Sequence, residues 1–427
     1  MKSLFEFFKG PFLPIAPTVR TDDAAQASRP LIRRQPQSAR MDSCQTMLEI
    51  ACPDPTAEDA LRDAHMAAAQ TLVRQEKWDD LLGVIAKADR TAQMTPGAMP
   101  VAELMCYGAR ADVVMAVEHA LIDGKPARGA PLLAGVEALE HVLVEHPDNH
   151  VMAAIMAQVH MDIGWAWRGT GWDVEIPARN REAFDAHFDR ARDILAPYSA
   201  EKLRSPLVAA ASCALMCGGG QDTRRVADRY ETLIDLNPMN PRAMRALGNH
   251  LLPRWFGSYP ELELQARRTA ARTLSIWGAG GYTWVMFDAI TLDDQACANL
   301  DIAFFIEGLQ DILERRPDAY TTNLLAAYCG NSLGQIFSGN DEADHKRAEI
   351  AECARWIVRD HLTELHPMIW AHAAQGFDNN LRVHSPARFA ATGREDAVRI
   401  ISRLFSREIA AGQRIVFTET GPEAVAL

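Results

Sequence analysis

The chain has 427 residues, enough for two or three domains or one long repeat array. It is 48% hydrophobic and 23% charged, an ordinary soluble balance, and its net charge of -12 argues against a protein that grips a nucleic-acid backbone. Aromatic residues make up only 7% while alanine and leucine abound, which points to helices throughout.

The first element, residues 1–17, is "MKSLFEFFKGPFLPIAP". Its phenylalanines are interrupted by Glu6, Lys9, Gly10 and Pro11, so it lacks the unbroken apolar stretch of a signal peptide. A docked short helix, a membrane-surface helix and a frayed end all fit it. Residues 18–45 read as a solvated linker that includes the basic run "RPLIRRQPQSAR" (Arg29 to Arg40). Nowhere do roughly eighteen apolar residues follow one another, so no membrane span is expected and the protein is placed in the cytoplasm.

Residues 46–380 repeat one order of events. In "EHPDNHVMAAIMA", "DLNPMNPRAMRALGNHL", "ERRPDAYTTNLLAAY" and "ELHPMIWAHAA" a helix ends, a proline stops it, and polar residues precede an alanine-rich helix. These helices start near residues 56, 100, 148, 199, 239, 279, 318 and 367, at intervals of roughly 40 to 50 residues, the period of helical hairpins. The expected fold is all-α, a right-handed α-solenoid of about eight hairpins, tetratricopeptide-like but longer than the roughly thirty-four residues of that repeat. The extra residues fall in the turns after the alanine-rich helices: "IDGKPARGAP", "GWAWRGTGWD", "CGGGQD", "LPRWFGSYP" and "CGNSLGQIFSGND". All carry glycine, and in a stacked array they share one rim, a common place for a binding face. Residues 381–427 complete the chain with an amphipathic capping helix (Arg394 to Gly412; Val398, Ile401, Leu404 and Ile409 on one side). A tail, Gln413 to Leu427, follows, extended at first and then frayed or captured by the array.

Two turns stand out. Arg168, with Trp165 and Trp172, and Arg254, with Trp255 and Ser258, set a guanidinium beside indole rings and glycines, an arrangement that can clamp a carboxylate or other anion. The plainer alternative packs each tryptophan under its own loop and pairs the arginines with Asp173 and Glu261. "WAWRGTGW" and "LPRWFGSY" resemble the W-x-x-R-G-x-G-W and R-W-x-G-S signatures of a group of bacterial helical-repeat proteins, with "FDAHFDRA" lying between them. The similarity covers about Thr56 to Leu313. It implies a tetratricopeptide-like fold and no activity, and Phe256 stands where that group has glycine.

Other motifs carry less. The glycines of "CGGGQDTRR" lack the lysine and hydroxyl residue of a nucleotide loop, so they stop a helix and Asp222 or Thr223 caps the next. "WGAGGYTW" is a helix-to-helix turn. His361 and His366 are five apart and form no metal pair; His372, Asp378, His384 and Ser385 make no recognisable catalytic set. Asp79, Asp80, Asp293 and Asp294 sit at helix starts, where acids suit the dipole. The eight cysteines form no CxxC pair and read as reduced core residues; Cys213 and Cys217 share a helix face but nothing completes a metal site. No catalytic residue, metal or cofactor is expected. The function expected is a non-catalytic scaffold that binds a protein or peptide on its concave surface and loop rim. The alternative is a small-molecule-binding protein or hydrolase with a pocket between the Arg168 and Arg254 loops.

Overall fold

Short polar residues followed by proline or alanine start helices where the spacing requires. The computed structural model describes residues 47–426 except 123, 170–175, 219–225, 378–382 and 384. In it, helices begin at Ala57, Val101, His150, Ala200, Pro241, Gly280, Ala319 and Pro367, each within two residues of the expected position. Side-chain caps account for several starts: Asn149 accepts from the Val151 and Met152 amides, Asn240 from Arg242, and Asp318 from Thr321. The described chain is mostly helical. After a two-residue strand β1 (Leu48–Glu49) and helix α1 (Ala57–Arg74), it divides into two compact units, Asp59–Phe256 and residues 257–426 joined by 47–58.

The Asp59–Phe256 unit holds α2 (Trp78–Arg90), α3 (Val101–Ala120), α4 (Ala134–Glu145), α5 (His150–Arg168), α6 (Ala178–Leu195), the short α7 (Ala200–Leu203), α8 (Pro206–Ala214), α9 (Val226–Leu236) and α10 (Pro241–His250). A small hairpin, β2 (Leu121–Ile122) with β3 (Lys125–Pro126), follows α3. Helices α3, α5 and α8 touch in succession, and amphipathic partners cover them: α2 on α3, α4 and α6 on α5, α9 on α8. In α5 every residue from Val151 to Met161 is buried, so it is wrapped on all sides. At position 199 the expected alanine-rich helix comes later: four residues of α7 intervene, and Ser205 caps α8 by accepting from the Val208 amide.

In the second unit α11 (Tyr259–Arg272), α12 (Leu274–Trp277), α13 (Gly280–Leu292), α14 (Asp294–Ala298), α15 (Ile302–Arg315) and α16 (Ala319–Ala327) are followed by α17 (Asp341–Glu352), α18 (Ala354–His361), α19 (Pro367–Gln375), α20 (Pro386–Leu404) and α21 (Ser406–Ala410). Again the apolar helix, α13, is buried from Gly280 to Ile290, packed between α11 and α15. The "CGNSLGQIFSGND" turn does not break at its first glycine. Tyr328–Ser332 continue as a wide π turn, because Asn331 Nδ2 donates to the Trp370 carbonyl (2.9 Å) and Ser332 Oγ to that of Ala373 (2.7 Å). The C-terminal helix starts eight residues before the expected Arg394, at Pro386, where Ser385 caps it. Nor does the tail fray: β4 (Gln413–Thr418) and β5 (Gly421–Ala426) form an antiparallel hairpin, and β1 lies parallel to β4 with Leu48 opposite Ile415. Alternating Ile415 and Phe417, buried, give the reason.

Asp89 pins α8 to α2. It is 3% exposed and accepts from Ser205 Oγ (2.5 Å) and the Leu207 amide (2.8 Å). Asp89→Ala orphans both donors and should lower the stability of this unit by about 3 kcal/mol in urea unfolding at constant m. A loss under about 0.5 kcal/mol would show that the pin is not needed.

Candidate functional site

The Trp–Arg motif is mostly helix rather than loop. Trp165 to Arg168 form the last turn of α5, and Gly169, at φ +70°, ends it by donating to the Trp165 carbonyl at 2.9 Å. That backbone angle suits glycine, so the chain turns at Gly169 and not at Gly164. Trp165 packs edge-on against Phe184 (5.0 Å) and Phe188 (5.9 Å) of α6. Arg168 is 9% exposed; its guanidinium lies 5.6 Å from the Trp165 ring centre and donates to the Gly169 carbonyl. Trp167 is buried under Arg179, 5.2 Å away. Trp172 and Asp173 lie outside the described residues.

The second motif divides between the units. Arg254 Nη2 donates to Asn249 Oδ1 at 3.1 Å, while Trp255 and Phe256 flank His250, edge-on at 5.7 Å and stacked at 5.8 Å. Ser258 belongs to the other unit, where it caps α11 by accepting from the Glu261 amide.

Between these two turns lies a contact that spacing alone does not reveal. A tight 3-10 turn, Leu215–Gly218, follows α8, and a Cβ at Gly218 would run into the Phe188 ring. This close approach sets Cys217 Sγ 3.8 Å from His250 Nε2. On its far side, His250 Nδ1 lies 3.0 Å from the Ala246 carbonyl and 2.8 Å from the Tyr230 hydroxyl. A carbonyl only accepts, so Nδ1 carries the proton and Nε2 presents a lone pair to the thiol. Burial pushes the thiol up to about 12 and His250 down to about 4, which keeps both neutral near pH 7. A chain of contacts, Trp165 to Phe188 to Gly218, then Cys217 to His250 to Trp255, thus joins three of the glycine-bearing turns. The thiol–imidazole contact was not legible in the sequence, because Cys217 and His250 are brought together by the close approach of Gly218 to Phe188.

A second ionisable chain crosses α4, α5 and α6. Arg190 holds Glu140 with two bonds (2.9 and 2.7 Å), Glu140 faces His160 Nε2 at 3.0 Å, and His160 Nδ1 faces His187 Nδ1 at 2.9 Å. Arg190 keeps the Glu140 carboxyl below its usual range, so it is the acceptor for His160. His160 then accepts from His187 Nδ1–H, which leaves His187 Nε2 unprotonated. Burial lowers both imidazoles, His187 to about 4.

An open cleft of about 480 Å³ lies between α6, α8 and α9. Arg192, Glu201, Asp228 and Arg229 charge its walls, Ser199, Ser212 and Thr232 add hydroxyls, and Leu195 and Leu215 supply apolar floor. None of Trp165, Arg168, Arg254, Trp255 or Ser258 lines it. Among the described residues no group of three histidines, cysteines or acids could hold a metal, and no helix is long and apolar enough to cross a membrane.

The remaining sequence candidates sit at helix ends or in the core. Asp79 and Asp80 lie in the first turn of α2, and Asp293 caps α14 through the Ala296 amide. His361 ends α18, His366 precedes α19, and His372 is buried in α19 against Phe389. Gly278 turns the chain between α12 and α13. Asp222, Thr223, Asp378 and His384 lie outside the described residues.

The two histidine clusters make this unit acid-sensitive. Folded His187 and His250 titrate near 4 and their unfolded forms near 6.5, so the unfolded chain binds protons first. Their stabilisation is complete above about pH 6.5 and is lost as pH falls toward 4, up to about 3 kcal/mol each. Melting followed from pH 7 to 4 should show that loss, and His187→Gln should flatten it; an unchanged slope would remove His187 from the cause.

No protein-family model, curated protein or solved structure matches the chain, so its functional reading rests on this geometry.

Proposed function

We propose that the chain is a cytoplasmic, tetratricopeptide-like right-handed array of about eight helical hairpins that binds a polypeptide, and that the cleft between α6, α8 and α9 receives part of that partner. The observation that carries this reading is the cleft itself: open, with guanidiniums and carboxylates on its walls and hydroxyls between them. Such a lining matches the charged side chains and backbone amides of an extended peptide better than a compact apolar ligand. The regular helix starts, and the successive contacts of α3, α5 and α8, support the repeat array. The seven described cysteines are all free, as a reducing compartment would keep them.

The motif arginines then serve the array more than the partner. Arg168 lies along Trp165 and Arg254 holds Asn249, so each closes its own turn.

One charge reversal and one double truncation separate these roles. Arg229→Glu, with melting unchanged within a few degrees, should weaken capture of the partner at least tenfold. The Arg168→Ala/Arg254→Ala double variant should keep the partner and melt earlier. Partners lost from the double variant but retained by Arg229→Glu would move recognition from the cleft to the rim turns.

A further inference from the structure

The polypeptide-binding reading leaves Cys217, His250 and Tyr230 without a task. Of the described cysteines, only Cys52 and Cys217 are not fully buried, and Cys217 alone faces an imidazole. The imidazole is oriented as a general base requires: Nδ1–H is fixed by the Ala246 carbonyl and shared with Tyr230, and the free Nε2 lone pair is aimed at sulfur. Next to it, the Trp255 indole N–H is buried with no acceptor among the described residues, although its ring packs on His250. A donor left open on the ring that packs against this base is available to a developing oxyanion.

We propose that Cys217, His250 and Trp255 form an acyl-transfer site for an activated acyl group, an ester or thioester of a small carboxylic acid. This goes beyond polypeptide binding and does not depend on it. The Cys217 sulfur adds to the acyl carbon while its proton passes to His250 Nε2, and the carbonyl oxygen becomes an alkoxide facing the Trp255 N–H. The carbon–heteroatom bond of the leaving group then breaks, and His250 returns the proton to the departing alcohol or thiol. Water attacks the S-acyl intermediate as His250 takes one of its protons. The carbon–sulfur bond breaks, the sulfur is reprotonated from His250, and the carboxylic acid leaves.

The test is to treat the full chain with p-nitrophenyl acetate and a thioester of acetate, following p-nitrophenolate release and mapping acetylated peptides by mass spectrometry. A burst of about one equivalent, an acetyl group on Cys217, and loss of both in Cys217→Ala are expected. Acylation should slow about 10²-fold in His250→Gln and about 10- to 10²-fold in Trp255→Phe, which keeps the ring but removes the donor. The wild-type rate should be nearly flat from pH 6 to 9, because a base that is already free governs it; an unassisted Cys217 thiol, pushed up to about 12 by burial, would gain about tenfold per unit across that whole range. Should Cys217→Ala or His250→Gln fail to fold, the wild-type adduct map and pH profile decide the matter with Trp255→Phe. Acetylation confined to Cys52 or lysines, a burst that survives in folded Cys217→Ala, or a rate climbing tenfold per pH unit would overturn the proposal.

Discussion

A helix buried on every face dictates the rest of the Asp59–Phe256 unit. From Val151 to Met161, α5 has no exposed side, so α3, α4, α6 and α8 must surround it, and no polar group it carries can turn to water. Its ladder satisfies the backbone; the side chains of Gln158 and His160 need neighbours, and the half-buried Asp162 just beyond them supplies one contact. Arg110 of α3 reaches Asp162 at 2.6 Å and Gln158 at 2.9 Å, and the Glu140–His160–His187 chain absorbs the imidazole. Each is a charge-assisted network from a different flanking helix, which fixes the register of that helix on α5 more sharply than apolar contact could.

The same enclosure explains the Trp–Arg signature. Where α5 leaves the core its apolar surface has to be closed, and Trp165 does this by laying its ring on Phe184 and Phe188. Arg168 covers the indole in turn, a cation over an aromatic face worth about 0.5–2 kcal/mol depending on desolvation. The residues that look like a binding clamp in the sequence thus work as the closing layer of a buried helix. In the turn after α8, Gly218 lies against Phe188, and this fixes where Cys217 sits.

Helix positions were legible because proline, a short polar cap and an alanine-rich run are local signals, and local hydrogen bonds obey them. The extension of α5 through Gly164 to Arg168 was not, since glycine and tryptophan weigh against helix locally, and packing on α6 overrides them. The C-terminal hairpin escaped notice for a similar cause: "GPEAVAL" has weak strand character, yet β4 gives it a ladder to join. Ser258 and Trp255 sit three residues apart but serve different units, a division that no spacing announces. Of the polar constellations, those made within one helix turn could be anticipated, and those made across helices, Cys217 with His250 and His160 with His187, could not.

An unpaired indole N–H in a folded interior costs about 1–3 kcal/mol, and phenylalanine would remove that cost at nearly the same volume. Trp284 in α13 has the same open N–H, but its ring contacts are Trp277 and Phe287, where a large flat filler suffices. Trp255 differs because its ring rests on a buried imidazole whose outer nitrogen faces a thiol. Burial favours the neutral thiol and the neutral imidazole, so the open donor is the group disfavoured in an apolar core, and its place on the ring that packs against this imidazole is harder to explain by packing than by a polar guest. The arrangement is at rest uncharged, and it gains its strongest interactions only when negative charge develops on an oxygen between them, the condition under which a preorganised site accelerates a reaction instead of merely holding its substrate.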